Sequence, residues 1–122
     1  MPQDNTQAPP VKLPHFSFYA GDHMSEMSGL FIDERGAYIS LICYQWENGS
    51  IPTGDLRRLA AICLAPNRPD FEAVWLAVAH LFPGGRNVRL EAQRTKALKA
   101  YSNKCRGAVA ARAAKASKFR AL

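Results

Sequence analysis

"PGGRNVRL", residues 83–90, reads as a Gly-rich turn followed by a short alternating piece. Val88 and Leu90 point one way, and Arg86 and Arg89 lie near the other side. The pattern predicts a small hairpin. Immediately before it, "DFEAVWLAVAHLF" (70–82) carries apolar residues at 71, 74, 75, 78, 81 and 82, a wide helical stripe opened by Pro69-Asp70. This is the strongest core segment of the chain. Further upstream, "TGDLRRLAAICLAPNRP" predicts a shorter helix with Leu56, Leu59/Ala60 and Cys63 buried, Thr53 or Asp55 as cap, and Arg57 and Arg58 facing water.

In "LFIDERGAYISLICYQWENGSIP", Ile32, Gly36, Ile39, Ile42/Cys43 and Trp46 recur at three- and four-residue steps, so a helix is expected from about Asp33 to Glu47, stopped by Gly49 and Pro52. Earlier still, "HFSFYAGD" (15–22) sets Phe16 and Phe18 against Ser17 and Tyr19, the period of a short half-buried strand. The first fourteen residues, "MPQDNTQAPPVKLP", read as a disordered lead-in without the pattern of a signal peptide. Downstream of the expected hairpin, an Ala-, Lys- and Arg-rich final helix begins near Glu91. Leu98, Tyr101, Cys105 and Ala108/Val109 form a thin seam along it, and Gly107 weakens it midway.

The order strand, three helices, hairpin is the layout of a winged helix, a helix-turn-helix variant. The expected fold is therefore mainly α with a small β-sheet: lead-in 1–14, winged-helix domain 15–90, and a basic C-terminal helix and tail 91–122. With 122 residues, 48% hydrophobic and 21% charged, one soluble domain with one core is expected.

The net charge of +6 is unevenly placed: residues 1–85 hold five Lys/Arg against nine Asp/Glu, whereas residues 86–122 hold eleven against one. A mildly acidic body with a strongly basic last third points to a polyanionic partner, nucleic acid before an anionic membrane. The third helix is no base reader, because away from its apolar stripe it offers Glu72, Ala73, Leu76, Ala77 and His80. The candidate phosphate-binding residues are instead Arg57, Arg58, Arg86, Arg89, Arg94, Lys96, Lys99, Lys104, Arg106, Arg112, Lys115, Lys118 and Arg120, with Arg68 in a turn. They suit non-specific contact with double-stranded DNA. Tyr101 and Phe119, the two aromatics of the basic stretch, are too few for a platform that stacks single strands.

Catalysis finds little support. Asp33 and Glu34 are adjacent on a helix and splay about 100° apart. His15, His23 and His80 are scattered without metal-ligand spacing, and "PGGRN" lacks the Lys-Ser/Thr of a phosphate loop, so neither metal nor cofactor is expected. Trp46 and Trp75 fall on apolar faces as core residues. Cys43, Cys63 and Cys105 are odd in number and form no Cys-x-x-Cys pair, which suits reduced thiols in the cytoplasm. The C-terminal seam is compatible with a monomer or a weak homodimer.

"YAGD", "LFIDERGAYISLICYQWENGSIPTGDLRRLAAI", the Trp-centred helix and "LFPGGRNVRL" together resemble the YdaU-like family of phage and prophage proteins, over about residues 16–95. The resemblance implies a winged helix related to phage replisome organisers, acting on DNA at a phage origin in the bacterial host cytoplasm. Where that family usually has Ser before the helix, this chain has Leu30-Phe31, so Ser28, Asp33 or water must satisfy the helix start. The alternative is a protein-interaction module, such as a phage-encoded inhibitor, in which the apolar and acidic third helix docks on a host or defence protein.

Overall fold

The computed structural model describes residues 13–121, with side chains as far as Ser117. Five α-helices follow one another: α1 (Ala20–Glu26), α2 (Ile32–Asn48), α3 (Leu56–Ile62), α4 (Phe71–Val78) and α5 (Val88–Ala121). Single 3-10 turns at Ala79–Leu81 and Pro83–Gly85 lie between the last two. Among the described residues there is no strand, so the expected small β-sheet and the winged helix built on it are both overturned. Of the expected lead-in, residues 1–12 lie outside the described residues.

The two β expectations fail for identifiable reasons. The extended piece around Ser17 pairs with a side chain instead of a strand: its N–H donates to Gln93 Oε1 at 2.7 Å and its carbonyl accepts from Gln93 Nε2 at 3.1 Å. Gly21 and Asp22, expected to end a strand, lie inside α1. In the supposed hairpin, Asn87 caps a helix, its Oδ1 accepting the Leu90 N–H at 3.1 Å. The spacing that matters there is three residues: Asn87 and Leu90 are buried, whereas Val88 is exposed.

The central helix α2 matches the expected span to within a residue at each end. Its start is satisfied by Glu34, whose carboxylate accepts the Phe31 N–H at 2.9 Å, while Asp33 Oδ1 accepts the Glu34 N–H at 2.9 Å. Asp55 caps α3 by accepting the Arg58 N–H at 3.0 Å. The buried face of α2 is Ala37, Tyr38, Leu41, Ile42, Gln45 and Trp46, turned from the predicted stripe so that Ile32, Gly36 and Cys43 face outward. The displacement comes from Tyr38 and Gln45, whose polar ends are satisfied inside. This face packs against Leu59 and Ala60 of α3, Phe71, Val74 and Val78 of α4, and Leu90 of α5, with Met27, Ile51 and Phe82 closing the core.

One turn is sterically closed. Gly85 has φ +84°, and a Cβ there would lie 2.8 Å from the Ile51 carbonyl oxygen, whereas Gly84, at φ +62°, has nothing within 4 Å. The approach is set by the Ile51 N–H donating to the Gly85 carbonyl at 2.9 Å, which ties the α2–α3 connection to the entry of α5. Urea denaturation should therefore show Gly85→Ala costing about 2–4 kcal/mol and Gly84→Ala about 1 kcal/mol, since only the first adds a backbone clash to the left-handed penalty.

Candidate nucleic-acid interface

The root of α5 is fixed by a buried polar network. The Asn87 N–H donates to Gln45 Oε1 at 2.7 Å, and Gln45 Nε2 donates back to the Asn87 carbonyl at 3.2 Å. Asn87 Nδ2 donates to Glu26 Oε1 at 3.1 Å and to the Leu81 carbonyl at 3.0 Å. Glu26 also accepts from the Tyr38 hydroxyl. That hydroxyl has one proton, so its oxygen accepts from His23 Nδ1–H across 2.6 Å. Burial, then the bond to Glu26, push the Tyr38 phenol above its ordinary range and keep it neutral.

Two turns along α5, Arg94 Nε donates to the Trp46 carbonyl at 2.9 Å, and its guanidinium lies beside Gly49. A cation over the last carbonyls of α2 suits the negative end of that helix. Ala97 and Leu98 are half-buried; from Lys99 to Ser117 every side chain is exposed. The portion of α5 from Lys99 onward thus leaves the body as a bare helical arm about 34 Å long.

The sequence-predicted cations divide into two groups. Arg89 pairs with Asp22 at 2.8 Å and lies 3.8 Å from Glu26. Arg94 is spent on α2, and Arg58 donates to the Tyr44 hydroxyl at 3.0 Å. Arg68 joins Asp33 and Asp70, each at 2.6 Å, and holds both carboxyls below their usual range. Arg57, Arg86, Lys96, Lys99, Lys104, Arg106, Arg112 and Lys115 are exposed and make no ion pair among the described residues. The side chains of Lys118 and Arg120 lie outside the described residues.

Beyond Glu91 the described part of α5 carries no acid. Lys96, Lys99, Lys104 and Arg106 fall within about 160° of arc, on the side away from Leu98, Tyr101 and Cys105. Glu72 and Leu76 on α4 are exposed, so the third of the predicted helices presents no base-reading donor.

Sequence reading missed α1 and what it brings to α5. Tyr19, Asp22 and His23 face Arg89, Gln93 and Lys96 across a cleft of about 240 Å³. The signal that marks α5 is Asn87 before "VRLEAQR", an N-cap residue ahead of strong helix formers.

The family model described as "Protein of unknown function (DUF1376)" matches residues 14–103, and the chain belongs to that family. The match takes in all the packed helices and the first turn of the exposed arm. A search of curated proteins found no match, and a search of solved structures found none either. Among the described residues no helix is long and apolar enough to cross a membrane.

Proposed function

We propose that this protein binds DNA through phosphate contacts made by the projecting part of α5, largely without regard to sequence. The observation that carries the reading is the arm itself: Lys99, Lys104, Arg106, Arg112 and Lys115, all exposed, without a single acid among them. Such an arm gains no stability from packing on the body. Its cations repel one another along the helix, and phosphates along a duplex would neutralise them. Arg57, Arg86 and Lys96 on the body add further contacts, while Arg58, Arg89 and Arg94 keep the fold. The resemblance of "YAGD", "ERGAY" and "LFPGGRN" to YdaU-like proteins supports a phage or prophage role of the replication-organiser type. Electrophoretic or anisotropy titration with unrelated duplexes tests the reading, with equal affinity for each expected and strong preference for one contradicting it.

One observation favours a second reading, a protein-docking module. Leu64 has φ +58° and is 88% exposed, an apolar side chain held outward at a conformational cost. It borders a groove of about 590 Å³ against Gly36 and Ser40 of α2. On this reading a host protein stays on the immobilised chain after nuclease treatment and is released by Leu64→Glu. Loss of everything on nuclease treatment contradicts it.

A further inference from the structure

We infer that the cleft between α1 and the root of α5 seats a base of single-stranded nucleic acid, stacked on Tyr19, with the adjoining phosphates on Lys96 and Lys99. The inference rests on the nucleic-acid reading above and adds single strands to the duplexes that the arm binds.

Size and shape come first. At about 240 Å³ the cleft has room for a planar base and none for a duplex. Tyr19 forms part of its wall, is 58% exposed, and its hydroxyl has no partner among the described residues. An exposed aromatic on a loose segment would be a poor platform, but this one is held on both sides. Two residues before it, Ser17 is clasped by Gln93; its own carbonyl accepts the His23 N–H at 3.0 Å. Next to it Phe18, half exposed, stacks on His23 with centroids 4.3 Å apart and planes 15° apart. Ring stacking therefore already operates at this wall, and a base meets a surface with little left to order.

Charge distribution sets the orientation. Inside the cleft Arg89 is balanced by Asp22, so the interior suits a neutral ring better than a phosphate. Lys96, two turns further along α5, is exposed at the mouth, and Lys99, Lys104 and Arg106 continue on the same side of the helix. A strand with one base inserted would lay its backbone along that row.

The groups able to read base edges are committed: Gln93 to Ser17, Asp22 to Arg89, and His23 Nδ1 to Tyr38. Seating is thus indifferent to which base enters, as aromatic stacking allows.

The test uses the full chain and two fluorescein-labelled probes, an oligo-dT and a mixed-sequence duplex, read by anisotropy. Tyr19→Ala should weaken oligo-dT binding by roughly tenfold, the loss expected for one stacked base, and change duplex binding by less than about twofold. Tyr19→Phe should retain both. Equal losses on both probes, or no loss on oligo-dT, overturns the inference while leaving the nucleic-acid reading intact. Failure of the unaltered chain to bind either probe overturns both.

Discussion

Asn87→Ala should lower the unfolding free energy by about 2–4 kcal/mol, combining a lost helix cap with the loss of two buried hydrogen bonds. Asn87 is 1% exposed and joins four elements: it caps α5, binds Glu26 of α1, binds the Leu81 carbonyl beyond α4, and exchanges backbone bonds with Gln45 of α2. Alanine removes the first three and leaves Glu26, already accepting from Tyr38, with one buried donor fewer. The comparison is Asn103→Ala on the exposed arm, expected within about 0.5 kcal/mol of the parent. Urea denaturation of both checks it. Similar costs for the two variants would mean that α5 is not anchored through its cap residue.

Replacing Lys99, Lys104, Arg106, Arg112 and Lys115 together by Gln should weaken duplex binding at low salt by on the order of a hundredfold or more, since five phosphate contacts disappear. Stability of the body should stay within about 0.5 kcal/mol, because these side chains touch nothing in it and surface changes of this kind are nearly neutral. The double readout separates function from folding. A variant that loses binding and melts early would place the arm in the fold, and one that keeps binding would assign the phosphates to Arg57, Arg86 and Lys96.

Three helices were legible in the sequence but the fold class was not, and the failures share a cause. Apolar periodicity locates α2, α3 and α4, and residue chemistry gives the stop at Gly49 and narrows the α3 cap to Thr53 or Asp55, of which the structure uses Asp55. Periodicity fails where side-chain hydrogen bonds take the place of pattern. "HFSFY" alternates like a strand, yet Gln93, seventy-six residues away from Ser17, supplies the pairing. "RNVRL" alternates like a hairpin arm, yet Asn87 begins a helix there. The outward turn of Ile32 and Cys43 follows from Tyr38 and Gln45 taking the core positions, which hydropathy alone assigns to purely apolar residues.

The site was legible in part for the same reason. Charge segregation marked the basic arm, but one-dimensional counting gave Arg89 and Arg94 the same weight as Lys99. Only their partners, Asp22 and the Trp46 carbonyl, divide cations that hold the fold from cations left for a ligand. In the sequence Tyr19 reads only as the strand face opposite Phe16 and Phe18, since nothing local places it across from Lys96.

The salt dependence of duplex affinity tests the central claim most directly. With five arm cations on phosphates, log affinity should fall against log salt with a slope of about −4.5 or steeper, an affinity loss of about 500-fold or more between 50 and 200 mM, and the five-Gln variant should show a slope shallower by about 4.5. A slope near zero for the unaltered chain, with binding intact, would contradict the account.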